Sequence, residues 1–358
     1  MNTKIIQIDE EDIDPAAMEE AGCIIRSGGL VAFPTETVYG LGGDALNETS
    51  SQKIYAAKGR PSDNPLIVHI AEWKDLGKIV DKIPEEAGKL AERFWPGPLT
   101  MIFKKAACVP YATTGGLDTV AVRMPSNKIA RALIRVSGGY VAAPSANRSG
   151  RPSPTRAKYV IEDLAGRVDM ILDGGASDIG LESTIVDLSG DVPVILRPGY
   201  ITEEMLAQVI GNVEVDKGIL DSDSRISPKA PGMKYRHYAP KGSLFIVEGP
   251  EKQVTDYINK ELGIQQAEGK KTGVIAVRET VSGYQADSVK CAGSREDEEE
   301  IAKHLFDILR ELDDEGIQVI YAEAFDNHGV GYAIMNRLLK AAGYQVITLK
   351  SGTGGNRV

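Results

Sequence analysis

The sequence predicts an α/β protein of two domains. The first is an open, twisted, mixed sheet with helices packed against it, and the second is a smaller domain of βαβ units. Three observations support this. The chain has 358 residues, which is long for a single domain. Segments typical of strands and helices interleave without strict alternation in residues 1–212, but alternate regularly in residues 242–350. A basic segment that contains prolines, residues 213–241, joins the two, and residues 351–358 form a tail.

Composition limits the classes of function. The formal net charge of −10 argues against a broad nucleic-acid-binding face, which needs excess positive charge, but it leaves room for a local basic pocket. The three cysteines are far apart and form no Cys-x-x-Cys pair, so neither a zinc knuckle nor a disulfide framework is expected. The N-terminus is acidic, and no apolar run approaches the roughly 20 residues of a membrane helix. We therefore expect a cytoplasmic protein without membrane attachment.

The first domain carries clear helix and turn signals. Asp14-Pro15 begins a helix that Gly28-Gly29 ends. Residues 34–43, rich in threonine and glycine, are expected to form a loop after a buried strand at 30–33. Ser126 is expected to cap a helix whose apolar residues share one face. Further strands are expected at 66–69, 99–103, 119–124, 140–143, 168–172, 183–188 and 192–196, and further helices at 50–57, 84–94 and 156–165.

The basic segment differs from both of its neighbours. Residues 225–241 hold five cations, three prolines and no acid, which is typical of a linker. Residues 231–238 are too aromatic and cationic for a passive spacer, so we expect residues 228–240 to fold as a lid over the first domain's pocket. The βαβ pattern beyond predicts a small, parallel, Rossmann-like domain. Because its first strand is not followed by Gly-x-Gly-x-x-Gly, dinucleotide binding is not indicated.

Cations and small polar side chains collect in the loops at the strand ends of the first domain. Ligands bind at such ends in open sheets, and arginine makes two-point contacts with carboxylates and phosphates. The set predicts a pocket for a small acid beside a polyphosphate, although no P-loop, Gly-x-Ser-x-Gly or His-Glu-x-x-His motif occurs. Its members are Lys58, Arg60, Arg123, Ser145, Asn147, Arg148, Arg151, Ser153, Ser183, Thr184 and Arg197.

Each of these residues also has a purely structural interpretation. Lys58-Gly59 could be an ordinary helix C-terminus, and Ser145 and Asn147 could satisfy loop backbone groups. His69 could be a hydrogen-bonded, half-buried histidine. Glu36, between two threonines, could be a base, a metal ligand or a capping group. Only the set as a whole indicates an anion-binding site.

Seven ordered motifs carry a more specific resemblance. They and the segment Pro-Gly-Met-Lys-Tyr-Arg-His-Tyr-Ala-Pro at 231–240 span nearly the whole chain. The sequence resembles the YrdC-type threonylcarbamoyl-AMP synthase family, in its long, two-domain branch. The motifs are FPTETVYGLG (33–42), KGRPSDNPLIVH (58–69), FWPGPLT (94–100), VAVRMP (120–125), APSANRSG (143–150), ESTIVD (182–187) and LRPG (196–199).

The resemblance implies both a reaction and a set of residues. L-threonine, bicarbonate or CO2, and ATP with Mg2+ would give threonylcarbamoyl-AMP and pyrophosphate, with no tightly bound protein-ligated metal. By analogy, the catalytic residues are Lys58, Arg60, Ser145 and Asn147, and the threonine-binding residues are Thr37, His69, Arg123, Ala143 and Ser183. The ATP-binding residues are Arg60, Asn64, Thr119, Ser145, Ser153 and Arg197, with a contribution from Tyr235, His237 or Tyr238 of the linker.

The resemblance also implies partners. The product would pass to the machinery that transfers threonylcarbamoyl to the adenosine next to the anticodon of tRNA, with at most a weak direct tRNA contact. Two rival classes use a related first domain. One is an RNA-binding or ribosome-associated module without ATP chemistry, against which the acidic balance argues. The other is a carbamoyl transferase of the hydrogenase-maturation type, whose zinc-finger cysteines are missing here.

Overall fold

The computed structural model describes residues 2–219, 238–326 and 328–350. The chain divides into two compact units, Met1–Tyr235 and Arg236–Val358. The boundary falls inside the segment that the sequence predicts as a linker. No described helix has both the length and the apolar character needed to cross a bilayer.

The described part of the first unit consists of one sheet with helices against it. Its strands are β1 (Lys4–Gln7), β2 (Val31–Phe33), β3 (Gly40–Asp44), β4 (Ile67–His69), β5 (Leu99–Lys104), β6 (Thr119–Arg123), β7 (Val141–Ala142), β8 (Met170–Asp173), β9 (Thr184–Asp187), β10 (Val194–Arg197) and β11 (Glu214–Val215). Its helices are α1 (Pro15–Arg26), α2 (Glu48–Lys58), α3 (Leu76–Ile79), α4 (Glu85–Phe94), α5 (Tyr111–Thr114), α6 (Lys128–Val136), α7 (Ala157–Leu164) and α8 (Glu203–Ile210).

The sheet of the first unit is mixed, as the sequence predicts. Its order is β1-β8-β2-β3-β7-β4-β6-β5-β9-β10-β11, with parallel and antiparallel pairs. A core of fully buried side chains joins α1 and α6 to the sheet, with Ile25 and Leu133 among its members. Because consecutive strands are often not neighbours, loops from distant parts of the chain meet at the strand ends.

The local predictions for this unit need several corrections. Asn127, not Ser126, caps α6, since its side chain accepts a hydrogen bond from the Ala130 amide at 2.9 Å. Within the expected loop at 34–43, strand β3 begins at Gly40 and pairs with β2. Sequence patterning missed β3 because it is mostly glycine, which is disfavoured in strands. It also missed the short elements β1, β11, α3 and α5, and it missed α8, which Thr202 caps.

The second unit has the predicted Rossmann-like arrangement. Its strands β12 (Ser243–Glu248), β13 (Thr272–Ala276), β14 (Ser288–Cys291), β15 (Val319–Glu323) and β16 (Val346–Thr348) are all parallel, in the order β14-β13-β15-β12-β16. Its helices are α9 (Glu251–Ala267), α10 (Glu298–Asp314) and α11 (Gly329–Ala341). The apolar face of α9 packs on the sheet through Val254, Ile258 and Leu262. Asp297 caps α10 by accepting a hydrogen bond from the Glu300 amide.

Candidate functional site

Arg123 lies at the centre of the site. It ends β6, where the strand register sets it beside His69 of β4 and Thr100 of β5. Its guanidinium is almost fully buried and donates to Thr37 Oγ1 at 2.8 Å and to the Gly97 carbonyl at 3.4 Å. Its Nη2 lies 2.7 Å from Glu36 Oε1. A buried guanidinium held on three sides is a rigid fork for a carboxylate.

His69 is a neutral group beside this cation. Its Nδ1 lies 3.1 Å from the Ile67 carbonyl, and Phe33 packs against the ring edge-on. Burial, and then the positive charge of Arg123, lower the pKa of His69 to about 3. Because Nδ1 faces a carbonyl oxygen, we assign the ring proton to Nδ1, which leaves Nε2 as a hydrogen-bond acceptor at neutral pH.

A second cluster joins Ser183 to Arg197. The Ser183 hydroxyl lies 2.7 Å from Thr100 Oγ1 and accepts from Arg197 Nη2 at 3.1 Å, while Arg197 Nε donates to the Ser183 carbonyl. Gly199 makes this approach possible, because a Cβ there would lie 2.5 Å from the Thr184 amide nitrogen. Next to it, Ser153 donates to Glu182 Oε1 at 2.5 Å.

Lys58 fastens the loop of Ser145 and Asn147. It is the last residue of α2, and Gly59 ends the helix in the left-handed conformation, with φ of 62°. The buried Lys58 ammonium donates to the Ser145 carbonyl, to the Asn147 carbonyl at 2.5 Å and to Asn147 Oδ1 at 3.3 Å. The structural interpretation, a helix C-terminus, is therefore correct, and the same ammonium also fixes a loop predicted as functional.

The Thr35–Tyr39 loop connects these clusters through the backbone. The Thr37 carbonyl accepts from the Gly180 amide, and the Tyr39 carbonyl accepts from the Ala146 amide, both within 3.1 Å. The loop beside Ser183 and the loop of Ser145 are therefore anchored to one segment. The Ala143 amide, two residues before Ser145, donates to the Ile67 carbonyl at 2.8 Å.

The remaining predicted nucleotide residues differ in their surroundings. Arg60 reaches the Asn64 and Pro65 carbonyls through long bonds of 3.4 and 3.3 Å. Asn64 is buried, and its Oδ1 has no hydrogen-bond partner within the described chain. Thr119 begins the strand that Arg123 ends, so about 13 Å of strand separates their Cα atoms. The structure does not bring Thr119 into the Arg123 cluster.

The predicted linker residues are described only in part. Tyr235 and His237 lie outside the described residues. Tyr238 is buried within the second unit, where its ring centroid lies 5.1 Å from that of Phe306 and 5.8 Å from the Arg337 guanidinium carbon. The prediction that a linker residue contacts the nucleotide stays a prediction.

Two buried polar residues of the site were not predicted. Thr100 contacts Ser183 and Glu182 accepts from Ser153, and both are nearly inaccessible to solvent. Thr100 could have been found, because it is the only polar residue among Leu99–Phe103, which otherwise forms an apolar strand. Glu182 adjoins the predicted Ser183, but its partner Ser153 is distant in sequence.

The fold and the site together define a class of protein. This is a two-unit α/β protein with a mixed sheet, a smaller parallel sheet and a buried site that gathers guanidinium, ammonium, hydroxyl and carboxylate groups.

Comparisons with known proteins narrow the class. A family model described as "Telomere recombination" matches residues 23–199, and one described as "Threonylcarbamoyl-AMP synthase, C-terminal domain" matches residues 201–343. The threonylcarbamoyl-AMP synthase of Pyrococcus abyssi is 49% identical over 345 residues, which are 96% of this chain and 99% of that protein. The Bacillus subtilis enzyme of the same name is 48% identical, over 95% of this chain and 96% of its own length.

A solved structure agrees with this result. The crystal structure of P. abyssi Sua5 complexed with L-threonine superposes with a TM-score of 0.92 and 48% identity, over 97% of this chain and 100% of that one. The chain therefore belongs to the threonylcarbamoyl-AMP synthase family, and it is an enzyme of the transferase class. The resemblance recognised in the sequence is confirmed.

Proposed function

We propose that this protein converts L-threonine, bicarbonate or CO2, and ATP into threonylcarbamoyl-AMP and pyrophosphate. The observation that carries the proposal is the buried Arg123 fork beside Thr37 and His69, in a chain that is nearly half identical to named synthases over almost its full length. The P. abyssi relative crystallised with L-threonine supports threonine as the amino acid.

Arg123 and its neighbours would hold threonine. The guanidinium would bind the α-carboxylate at two points. Ser183, fixed by Thr100 and Arg197, and the acceptor nitrogen of His69 would contact the polar groups of the ligand. A hydrogen bond to the side-chain hydroxyl is the strongest means to reject valine, because an apolar pocket separates isosteres poorly.

Lys58, Arg60, Arg197 and the Ser145–Asn147 loop would position ATP. In the proposed step, a carbamate oxygen of N-carboxylated threonine attacks the α-phosphorus, and the bond to pyrophosphate breaks. Such a transfer depends on alignment and neutralisation of charge, not on a protein nucleophile. The Lys58 ammonium would hold the loop in register for the phosphates, since three of its contacts are loop oxygens.

Mg2+ would enter with ATP as part of the substrate. Among residues 2–219, 238–326 and 328–350, no three histidine, cysteine or acidic side chains are grouped as metal ligands. Mg2+ commonly keeps several waters and is held by substrate phosphates, so an ion that enters with ATP would need few ligands from the protein.

The product would serve tRNA modification in the cytoplasm. We propose that threonylcarbamoyl-AMP passes to the machinery that modifies the adenosine next to the anticodon. The net charge of −10 favours at most a weak direct contact with tRNA.

The test is a reconstituted reaction. Full-length protein with ATP, Mg2+, threonine and bicarbonate should release pyrophosphate only when threonine is present, and mass spectrometry should detect the adenylate. Arg60→Ala should abolish the release and leave the circular dichroism spectrum unchanged, whereas Arg93→Ala, an exposed arginine of α4, should retain it. Tight RNA binding with no threonine-dependent pyrophosphate would refute the proposal and favour the RNA-binding class.

A further inference from the structure

Glu36 is a buried carboxylate without a hydrogen bond. Only 7% of its side chain is exposed, and neither Oε1 nor Oε2 has a hydrogen-bond partner in the described chain. Oε1 lies 2.7 Å from Arg123 Nη2, so the two charges form a contact ion pair, but its angles are not those of a hydrogen bond. Buried carboxylates normally accept several hydrogen bonds, so this one requires an explanation.

Glu36 does not cap the loop that contains it. The Thr35 hydroxyl accepts from the Thr37 and Val38 amides, so it performs the capping that the sequence left open for Glu36. The Glu36 backbone is fixed independently, because its carbonyl accepts from the Ile179 amide at 2.9 Å. The loop therefore holds the carboxylate in place beside Arg123 without using its oxygens.

The proposed reaction requires a proton acceptor at this position. Threonine enters as an ammonium, and only a neutral amine can add to the carbon of CO2. An α-carboxylate bound to Arg123 would bring the adjacent α-ammonium towards Glu36, which contacts the same guanidinium. Arginine can neither accept nor release a proton at working pH, so Arg123 cannot perform this step.

We propose that Glu36 accepts the α-ammonium proton of threonine and thereby frees the amine for carboxylation. The proposal rests on the function proposed above. A proton moves from nitrogen to Glu36, the nitrogen lone pair forms the N–C bond to CO2, and one C=O π bond becomes the carbamate oxyanion. The nitrogen then loses its second proton to solvent. When bicarbonate is the source, the proton on Glu36 leaves with the departing hydroxide as water.

Burial favours this transfer. Before the proton moves, four groups are charged, namely Arg123, Glu36, the threonine carboxylate and the threonine ammonium. Afterwards, of these four, Arg123 and the threonine carboxylate remain charged, as a pair. Removal of two charges from a poorly solvated site is favourable. Other ionisable groups on neighbouring elements are His69 of β4, and Glu182 and Arg197 beside β9 and β10. His69 is a weak base there, Glu182 accepts from Ser153, and Arg197 contacts Ser183.

The discriminating variant is Glu36→Gln, which keeps the size of the side chain but cannot take up the proton. At saturating threonine and pH 7.5, its rate of threonine-dependent pyrophosphate release should fall by about 10²- to 10⁴-fold. As the pH is raised above 7.5, the rate of the variant relative to wild type should rise about tenfold per pH unit, because a growing fraction of threonine already carries a neutral amine. Glu36→Asp should be slower than wild type but should keep the wild-type pH profile.

The reverse reaction separates this step from the remaining chemistry. Formation of ATP from threonylcarbamoyl-AMP and pyrophosphate moves no amine proton, so Glu36→Gln should retain it within about threefold. Equal forward rates of Glu36→Gln and wild type would overturn the role of Glu36 alone. Equal losses in both directions, with a raised KM for threonine and no recovery in alkali, would also overturn it and show that Glu36 only orients Arg123. If wild type catalyses neither direction, the proposed function itself is wrong.

Discussion

Replacement of Lys58 by methionine should destabilise the first unit through one loop. The change removes the ammonium that donates to two loop carbonyls, those of Ser145 and Asn147, while Asn147 Oδ1 keeps its bond from the Ser145 hydroxyl. An unsatisfied buried acceptor costs about 1–3 kcal/mol. Removal of the buried ammonium charge offsets part of this cost, so we expect a net loss of about 3 kcal/mol.

The matched control is Lys53→Met on the same helix. Lys53 is exposed, and its ammonium donates to the Gly28 carbonyl at 2.6 Å. Water can replace this ammonium as the hydrogen-bond donor. A domain of this size loses about 2–4 °C in Tm per kcal/mol, so Lys58→Met should unfold about 6–12 °C below wild type and Lys53→Met within about 2 °C. Calorimetry of the full chain measures both. Equal Tm values for the two variants would refute the argument, whatever their activity.

Two further changes test the packing and the charge of the site. Gly199→Ala should lower the free energy of unfolding, measured by urea titration, by about 1–3 kcal/mol, because its Cβ would lie 2.5 Å from the Thr184 amide nitrogen. The control Gly190→Ala should be neutral, because a Cβ there has no heavy atom within 4 Å. Equal losses in the two variants would contradict the close approach at Gly199. The pKa of His69 is about 3 in the folded protein but near 6.5 when unfolded, so its contribution to stability is complete above pH 6.5 and declines as the pH falls towards 3. The free energy of unfolding of wild type should therefore fall by about 2 kcal/mol more than that of His69→Asn between pH 7 and pH 5, and parallel pH profiles would show that folding does not lower the pKa of His69.

Most of the fold could be predicted because the signals are local. Asp14 caps a helix where the sequence expects it, and the switch to regular βαβ alternation marks the second unit. The local signal fails where two neighbouring residues compete for one role. Ser126 and Asn127 are both good caps, and only the chain direction at the start of α6 decides for Asn127.

The site could be predicted as a set of residues but not as a set of contacts. Arginine, lysine and hydroxyl groups at strand ends predict an anion pocket, yet Thr100 meets Ser183 only because β5 pairs in parallel with β9. No local pattern encodes that pairing. The isolation of the Glu36 oxygens is likewise a property of the packed loop, since a carboxylate between two threonines is equally compatible with a capping role.

The strand order of the first unit also has a consequence for biosynthesis. Lys4 of β1 pairs with Met170 of β8, and Leu99 of β5 pairs with Thr184 of β9. Both β1 and β5 therefore pair with strands that are synthesised much later. Long-range pairings of this kind slow folding, because the loop between the partners must close first. On the ribosome, no part of the chain that ends before Arg197 contains the complete cluster of Arg123, Ser183 and Arg197. A nascent chain stalled earlier would expose unpaired strand edges, which are prone to aggregation.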